Sequence, residues 1–125
     1  MKSIGMFFGE IAVEIQINDR DLSISQQDHD FTLMRLQFAL GRFTSRIRNI
    51  YVTFSDQNGP RGGQDIQCRV RIMMEAGEEI VVTNVDSSLE ACVAHAADRA
   101  GRTVARFLER HRQHQGMSMS GDQGF

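Results

Sequence analysis

The 125-residue sequence holds one lysine, one proline, two cysteines and no apolar run long enough to cross a bilayer. Each scarcity closes off a class of protein. Cys68 and Cys92 lie far apart and form no Cys-x-x-Cys pair, so neither a zinc site nor a disulfide framework is expected, and a reducing, cytoplasmic setting fits. The N-terminal MKSIGMFF has a single lysine and too short an apolar stretch for a signal-peptide core. Nowhere do the roughly 18 apolar residues of a membrane span run together. Residues 1–9 are read as a leader ahead of a single domain over 10–113, and the aperiodic residues 114–125 as a disordered tail.

The lone proline falls in SDQNGPRGGQD, residues 55–65, between two alternating apolar runs. A phosphate loop of the Gly-x4-Gly-Lys-Ser/Thr kind needs that lysine and a helix after it, and neither is present. The stretch is read as a hairpin connection. Asn58-Gly59 and Gly62-Gly63 supply positive φ, Pro60 stays out of the ladder because it has no N–H to donate, and Arg61 is carried at the tip.

What the chain has in quantity is arginine, thirteen of its fourteen basic residues, arranged in blocks. The formal charge is −4 over residues 1–30, +5 over 31–71, −6 over 72–98 and +4 over 99–112. Arginine's planar fork suits bidentate phosphate contact and base stacking better than an ammonium does.

Periodicity supplies the elements. Ile11, Val13, Ile15 and Ile17 alternate with polar residues, as do Ile50, Val52 and Phe54, then Ile66, Cys68, Val70 and Ile72, and a fourth strand follows in IVVTNV. Leu33, Leu36, Leu40, Phe43 and Ile47 recur at three and four, which predicts a helix over about residues 31–47. Ser87 with Glu90 matches a capping box that opens a second helix ending near His111, with Leu89, Val93, Ala96, Ala97, Ala100, Val104, Phe107 and Leu108 as its apolar stripe. The order β-α-β-β-β-α predicts an α+β fold, a four-stranded sheet with two helices packed on one face. The other face is left open and carries Glu14, Gln16, Tyr51, Thr53, Arg69 and Arg71.

Arg99, Arg102, Arg106 and Arg110 step by three and four along the second helix, and Arg35, Arg42 and Arg46 share one side of the first. Such rows either solvate an exposed face or follow a nucleic-acid backbone. The shortage of acids favours the second: only Asp56 and Asp65 oppose seven arginines over residues 31–71, and Glu109 alone opposes five over 99–112. Tyr51 is placed either to stack a base or to pair with an arginine across strands. His95, His111 and His114 lack metal-ligand spacing, the cysteines read as core, and no nucleophile, base and orienter converge, so no metal, cofactor, small-molecule substrate or catalytic residue is expected.

The element order, the loop NGPRGGQD leading into CRVRI, and VDSSLEACVAHAADRAGRTVARFLERHR as a closing arginine-rich helix resemble the ribosome hibernation-promoting factor family, the ribosome-associated inhibitors or sigma-factor modulation proteins. The resemblance spans residues 11–112. It implies a short-form member with a fold similar to a double-stranded-RNA-binding domain. It also implies a stress-response factor on the small ribosomal subunit that blocks the messenger and transfer RNA channel without chemistry. Its RNA-binding residues would be Arg35, Arg42 and Arg46 with Arg99, Arg102, Arg106 and Arg110, while Arg112 leaves the stripe; Arg61, Arg69 and Arg71 are further candidates from the hairpin. The acidic residues before the first helix and the near absence of lysine depart from the family's pattern. The alternative is a non-catalytic interaction module of the same fold without RNA binding, a homo-oligomer joined through an edge strand or the open sheet face.

Overall fold

The computed structural model describes residues 2–8, 11–19, 22–56 and 65–120. In chain order these form β1 (Lys2–Phe8), β2 (Ile11–Asn18), α1 (Gln26–Leu40), a 3-10 turn (Gly41–Arg46), β3 (Ile47–Asp56), β4 (Ile66–Met74), β5 (Glu79–Asp86) and α2 (Leu89–Ser120). The strands make one sheet in the order β1-β2-β3-β4-β5. Only β2 and β3, which flank α1, pair in parallel.

The α+β order β-α-β-β-β-α runs from β2 to α2 as the periodicity predicts, with both helices over one sheet face. The inward residues of every strand from β2 to β5 are apolar: Val13, Ile15, Ile17, Ile50, Val52, Phe54, Cys68, Val70, Ile72, Met74, Ile80 and Val82 are all buried. They meet Leu36 and Leu40 of α1 and Cys92, Val93, Ala96, Ala97, Ala100 and Val104 of α2 in one core. The sheet gains a fifth strand at its edge. The residues expected to form a leader pair antiparallel with β2, Ile4 opposite Ile15 and Met6 opposite Val13. Gly5 and the adjacent Phe7 and Phe8 break the period-two signature that would have marked β1 as a strand.

Helix α1 starts five residues before the predicted 31, because Ser25 caps it: the Ser25 hydroxyl accepts from the Asp28 amide at 3.0 Å. Its buried face is His29, Thr32, Leu36 and Leu40, so Leu33 lies beside the core and not at its centre. Thr32 is buried at little cost because its hydroxyl donates to the Asp28 carbonyl at 2.8 Å. The α-helix then tightens into the 3-10 turn, and Ile47 belongs to β3. A three-residue turn keeps Phe43 and Ile47 near helical spacing, which is why the leucine pattern ran through the boundary.

His29 is 3% exposed, and neither ring nitrogen has a hydrogen-bond partner among the described residues. A buried polar ring without partners costs free energy that an apolar side chain of similar size does not. His29→Leu is therefore expected to raise stability by about 1–2 kcal/mol, read as a higher urea midpoint at unchanged slope. A lower midpoint would show that the ring is held by a partner.

Helix α2 is capped by Ser88 and not by Ser87. Ser88 Oγ accepts from the Ala91 amide at 3.2 Å, while the Ser87 amide bonds to Asp86 Oδ1 at 2.8 Å. The helix continues to Ser120, past the predicted end near His111 and through the first part of the expected tail. No proline follows Pro60, so nothing in the covalent chain stops it there. Both cysteines are buried, as expected. Hydrogen bonding to Cys92, and then burial, push the Cys68 thiol well above the ordinary thiol range. Cys92 Sγ donates to the Asn84 and Ile66 carbonyls at 3.1 and 3.2 Å, which ties α2 to the ends of β4 and β5.

Candidate nucleic-acid interface

Where α1 and its 3-10 turn run beside α2, the seam between them opens into a cleft of about 570 Å³ lined by Arg42, Phe43, Ser45, Arg46, Ala105, Leu108, Glu109 and Arg112. Further along the same seam Arg35 and Phe38 of α1 face Asp98, Gly101 and Arg102 of α2. Arg106, with Arg42 and Arg102, lines a shallow hollow that joins the two. The seam is narrow at Gly101 because the helices nearly touch there: a Cβ on Gly101 would lie 2.9 Å from the Ala39 carbonyl oxygen.

Aromatic rings hold two of its arginines. The Arg42 guanidinium lies 4.7 Å from the Phe43 ring centre and that of Arg35 lies 5.8 Å from Phe38. Arg46 is fixed at its backbone, where its carbonyl accepts from the Glu75 amide at 2.8 Å at the start of the turn linking β4 and β5. On α2, Arg102 pairs with Asp98, and Arg112 Nη2 with Glu109 Oε1 at 2.5 Å. These exposed pairs are worth little and yield readily to a better anion. Six arginines against two acids leave the seam strongly positive.

The arginines singled out in the sequence divide among three surfaces. Arg35, Arg42, Arg46, Arg102 and Arg106 come together in the seam. Arg99 reaches away from the seam toward β5, its Nη1 donating to the Thr83 carbonyl at 2.7 Å. Arg106 and Arg110, seven and eleven residues on, both lie within about 20° of Arg99 around the helix axis; of the two, Arg106 reaches the hollow beside Arg102 and Arg110 is exposed further along the helix. Arg69 and Arg71 project from the open sheet face, opposite the helices. There Arg71 stands directly across from Tyr51, its guanidinium 5.4 Å from the ring centre and its Nε 2.5 Å from Glu79 Oε2. Tyr51 is thus the cross-strand partner of an arginine. Arg61 lies outside the described residues.

Two features of the seam escaped the sequence. Arg112 leaves the stripe as expected, and by leaving it enters the cleft, since it follows Gly101, Ala105 and Leu108 at spacings of four, three and four on the side of α2 that faces α1. The small residues of that series were the available signal. Phe38 is 81% exposed at the seam's edge, where helical spacing gave it no role.

Two of the three histidines weighed as metal ligands are engaged elsewhere: His111 stacks on Phe107 with ring centres 5.7 Å apart, and His95 Nδ1 lies 3.7 Å from Asp86 Oδ2; the side chain of His114 lies outside the described residues. Among the described residues no three His, Cys, Asp or Glu side chains are grouped to hold a metal ion, and no helix is long and apolar enough to cross a membrane.

No protein-family model matches the chain, and a search of curated proteins finds no relative. Solved structures do match. A ribosomal subunit interface protein from Coxiella burnetii superposes with a TM-score of 0.62 at 14% identity, over 76% of this chain and 97% of that one. The N-terminal domain of Protein Y from Thermus thermophilus superposes with a TM-score of 0.59 at 20% identity, over 74% of this chain and 94% of that one. At these identities the likeness is one of architecture, and the chain has the α+β fold of these two proteins.

Proposed function

We propose that the protein is a cytoplasmic, non-catalytic ribosome-binding factor. It grips ribosomal RNA of the small subunit along the seam between α1 and α2 and, by filling the messenger and transfer RNA channel, halts translation under stress. The observation that carries this reading is the arginine-lined seam, set on a fold shared with a ribosomal subunit interface protein. Arg35, Arg42, Arg46, Arg102, Arg106 and Arg112 are its phosphate contacts. Guanidinium groups already resting on Phe38 and Phe43 lose less freedom on binding than free side chains would. Occlusion needs no bond making, and affinity comes from charge neutralisation and counterion release. Arg99 and Arg110 extend the contact around α2. Arg61, Arg69 and Arg71 join only if RNA also reaches the hairpin and open sheet face.

The test is co-sedimentation with small ribosomal subunits across a salt series. With six phosphate contacts, log affinity is expected to fall with log salt at a slope of roughly 4–5. Absence from the subunit peak at low salt overturns the proposal.

A second reading has one observation of its own. Val81 and Val85, 49% and 48% exposed, are outward positions on the edge strand β5, one on each side of Thr83. They favour an interaction module that takes a protein partner on the open sheet face, and binding through it would be nearly insensitive to salt.

A further inference from the structure

Phenylalanine on a helix surface is ordinary when half covered, and Phe38 is not: 81% of it is exposed. Met34, one turn before it on α1, is 51% exposed, and together they form a small apolar spot on the helix. The spot is surrounded by charge. Arg35 lies over the Phe38 ring, and Arg42 and Arg102 line the same hollow.

That setting selects among occupants. An apolar protein pocket closing over Phe38 would also take the neighbouring guanidinium groups out of water, a cost that only matched acids could offset. An anionic chain carrying flat π systems satisfies both demands together, because its charges meet the arginines while a base face meets the ring. Nucleic acid has that composition, and its bases offer their faces only when unpaired, since a duplex hides them in its stack.

We propose that Phe38 is a stacking platform for an unpaired nucleobase, with Arg35 and Arg42 holding the backbone on either side. The two arginines are seven residues apart, roughly 11 Å along the axis, with Phe38 between them. This rests on the RNA-binding reading and deepens it: α1 meets single-stranded RNA, and Phe38 adds an affinity that salt does not screen. Base-on-aromatic stacking tolerates any sequence, so the platform anchors the strand without reading it.

The test compares Phe38→Leu and Phe38→Trp with the wild-type full chain. The probes are small ribosomal subunits, a single-stranded RNA of about twelve nucleotides, and the same RNA annealed to its complement. Leucine keeps an apolar side chain and removes the π face, and the exposed position leaves thermal stability unchanged. Phe38→Leu is expected to weaken binding to the single strand and to subunits by about five- to hundred-fold, to bind the duplex as wild type does, and to keep the wild-type salt slope. Phe38→Trp is expected to restore single-strand binding.

Equal single-strand affinity for wild type and Phe38→Leu overturns the platform, as does an equal loss on strand and duplex. So does a wild-type dimer that Phe38→Leu dissolves, which would mark the ring as a contact between copies. Wild-type protein that binds neither RNA nor subunits at low salt sinks the RNA-binding reading as well. Steep salt-dependent binding that ignores Phe38 sinks the platform alone.

Discussion

Replacing Arg42, Arg46 and Arg112 together by alanine is expected to lower affinity for small ribosomal subunits by about two to three orders of magnitude in 0.1 M salt. Each lost phosphate contact removes roughly 0.7–0.9 from the slope of log affinity against log salt, and at 0.1 M that is nearly one decade per contact. The slope should therefore fall by about 2–3 along with the affinity. All three side chains are exposed around the wide end of the seam, and the ion pair between Arg112 and Glu109 that is broken is a surface pair of small worth. Thermal stability should move little. The control is Arg69→Ala with Arg71→Ala on the opposite sheet face, which removes two charges and should leave the slope within one unit of wild type. Comparable losses from both variants would mean that diffuse positive charge, and not the seam, attracts the RNA.

A helical wheel would have led to a different triple, Arg99, Arg102 and Arg106. In the folded protein Arg99 bonds to the Thr83 carbonyl and Arg102 to Asp98, so that choice weakens two intramolecular contacts and removes fewer cations from the cleft. The wheel fixes which residues share a side of α2. What lies beside each side depends on where α1 and β5 come to rest, and that is tertiary information. Arg112 illustrates the same limit, because its distance from the stripe is visible in its number while its place in the cleft is not.

The core was legible wherever one physical rule dominated. Strands β2 to β5 alternate because one face of each is buried and the other is not, and the Val and Ala stripe of α2 has a helix's period because that helix lies flat on the sheet. Legibility failed where polar residues do apolar work. His29 and Thr32 occupy core positions on α1, so the buried face could not be located from leucines alone, and the helix start was hidden behind them. Strand β1 was missed for a related reason: it draws its register from β2 and has no alternation of its own. Phe38 is the converse, an apolar residue on a polar surface, and such mismatches concentrate where a protein meets something else.

Gly101→Ala is expected to destabilise the fold by about 1–2 kcal/mol and Gly101→Leu by about 3 or more, although glycine inside a helix ordinarily gains up to about 1 kcal/mol on replacement by alanine. The sign reverses because of what the new atom meets. A Cβ at this position would lie 2.9 Å from the Ala39 carbonyl oxygen, 3.4 Å from its Cβ and 3.6 Å from its carbonyl carbon. These are largely backbone atoms of a neighbouring helix, which cannot swing aside as a side-chain tip can, so α1 and α2 must separate. Separation opens the seam at its narrowest point and draws Arg35 and Arg42 away from Arg102, so Gly101→Ala should also weaken subunit binding while the protein remains folded. Gly77→Ala is the comparison. Gly77 sits in the turn between β4 and β5 at φ 105°, with nothing within 4 Å of an added Cβ, so alanine there meets backbone strain without a clash. It should cost about 1–2 kcal/mol and leave subunit affinity unchanged, since that turn does not line the seam. Urea midpoints and co-sedimentation on the same preparations separate the two cases. A Gly101→Ala variant more stable than wild type would show that the helices do not approach as closely as the seam requires.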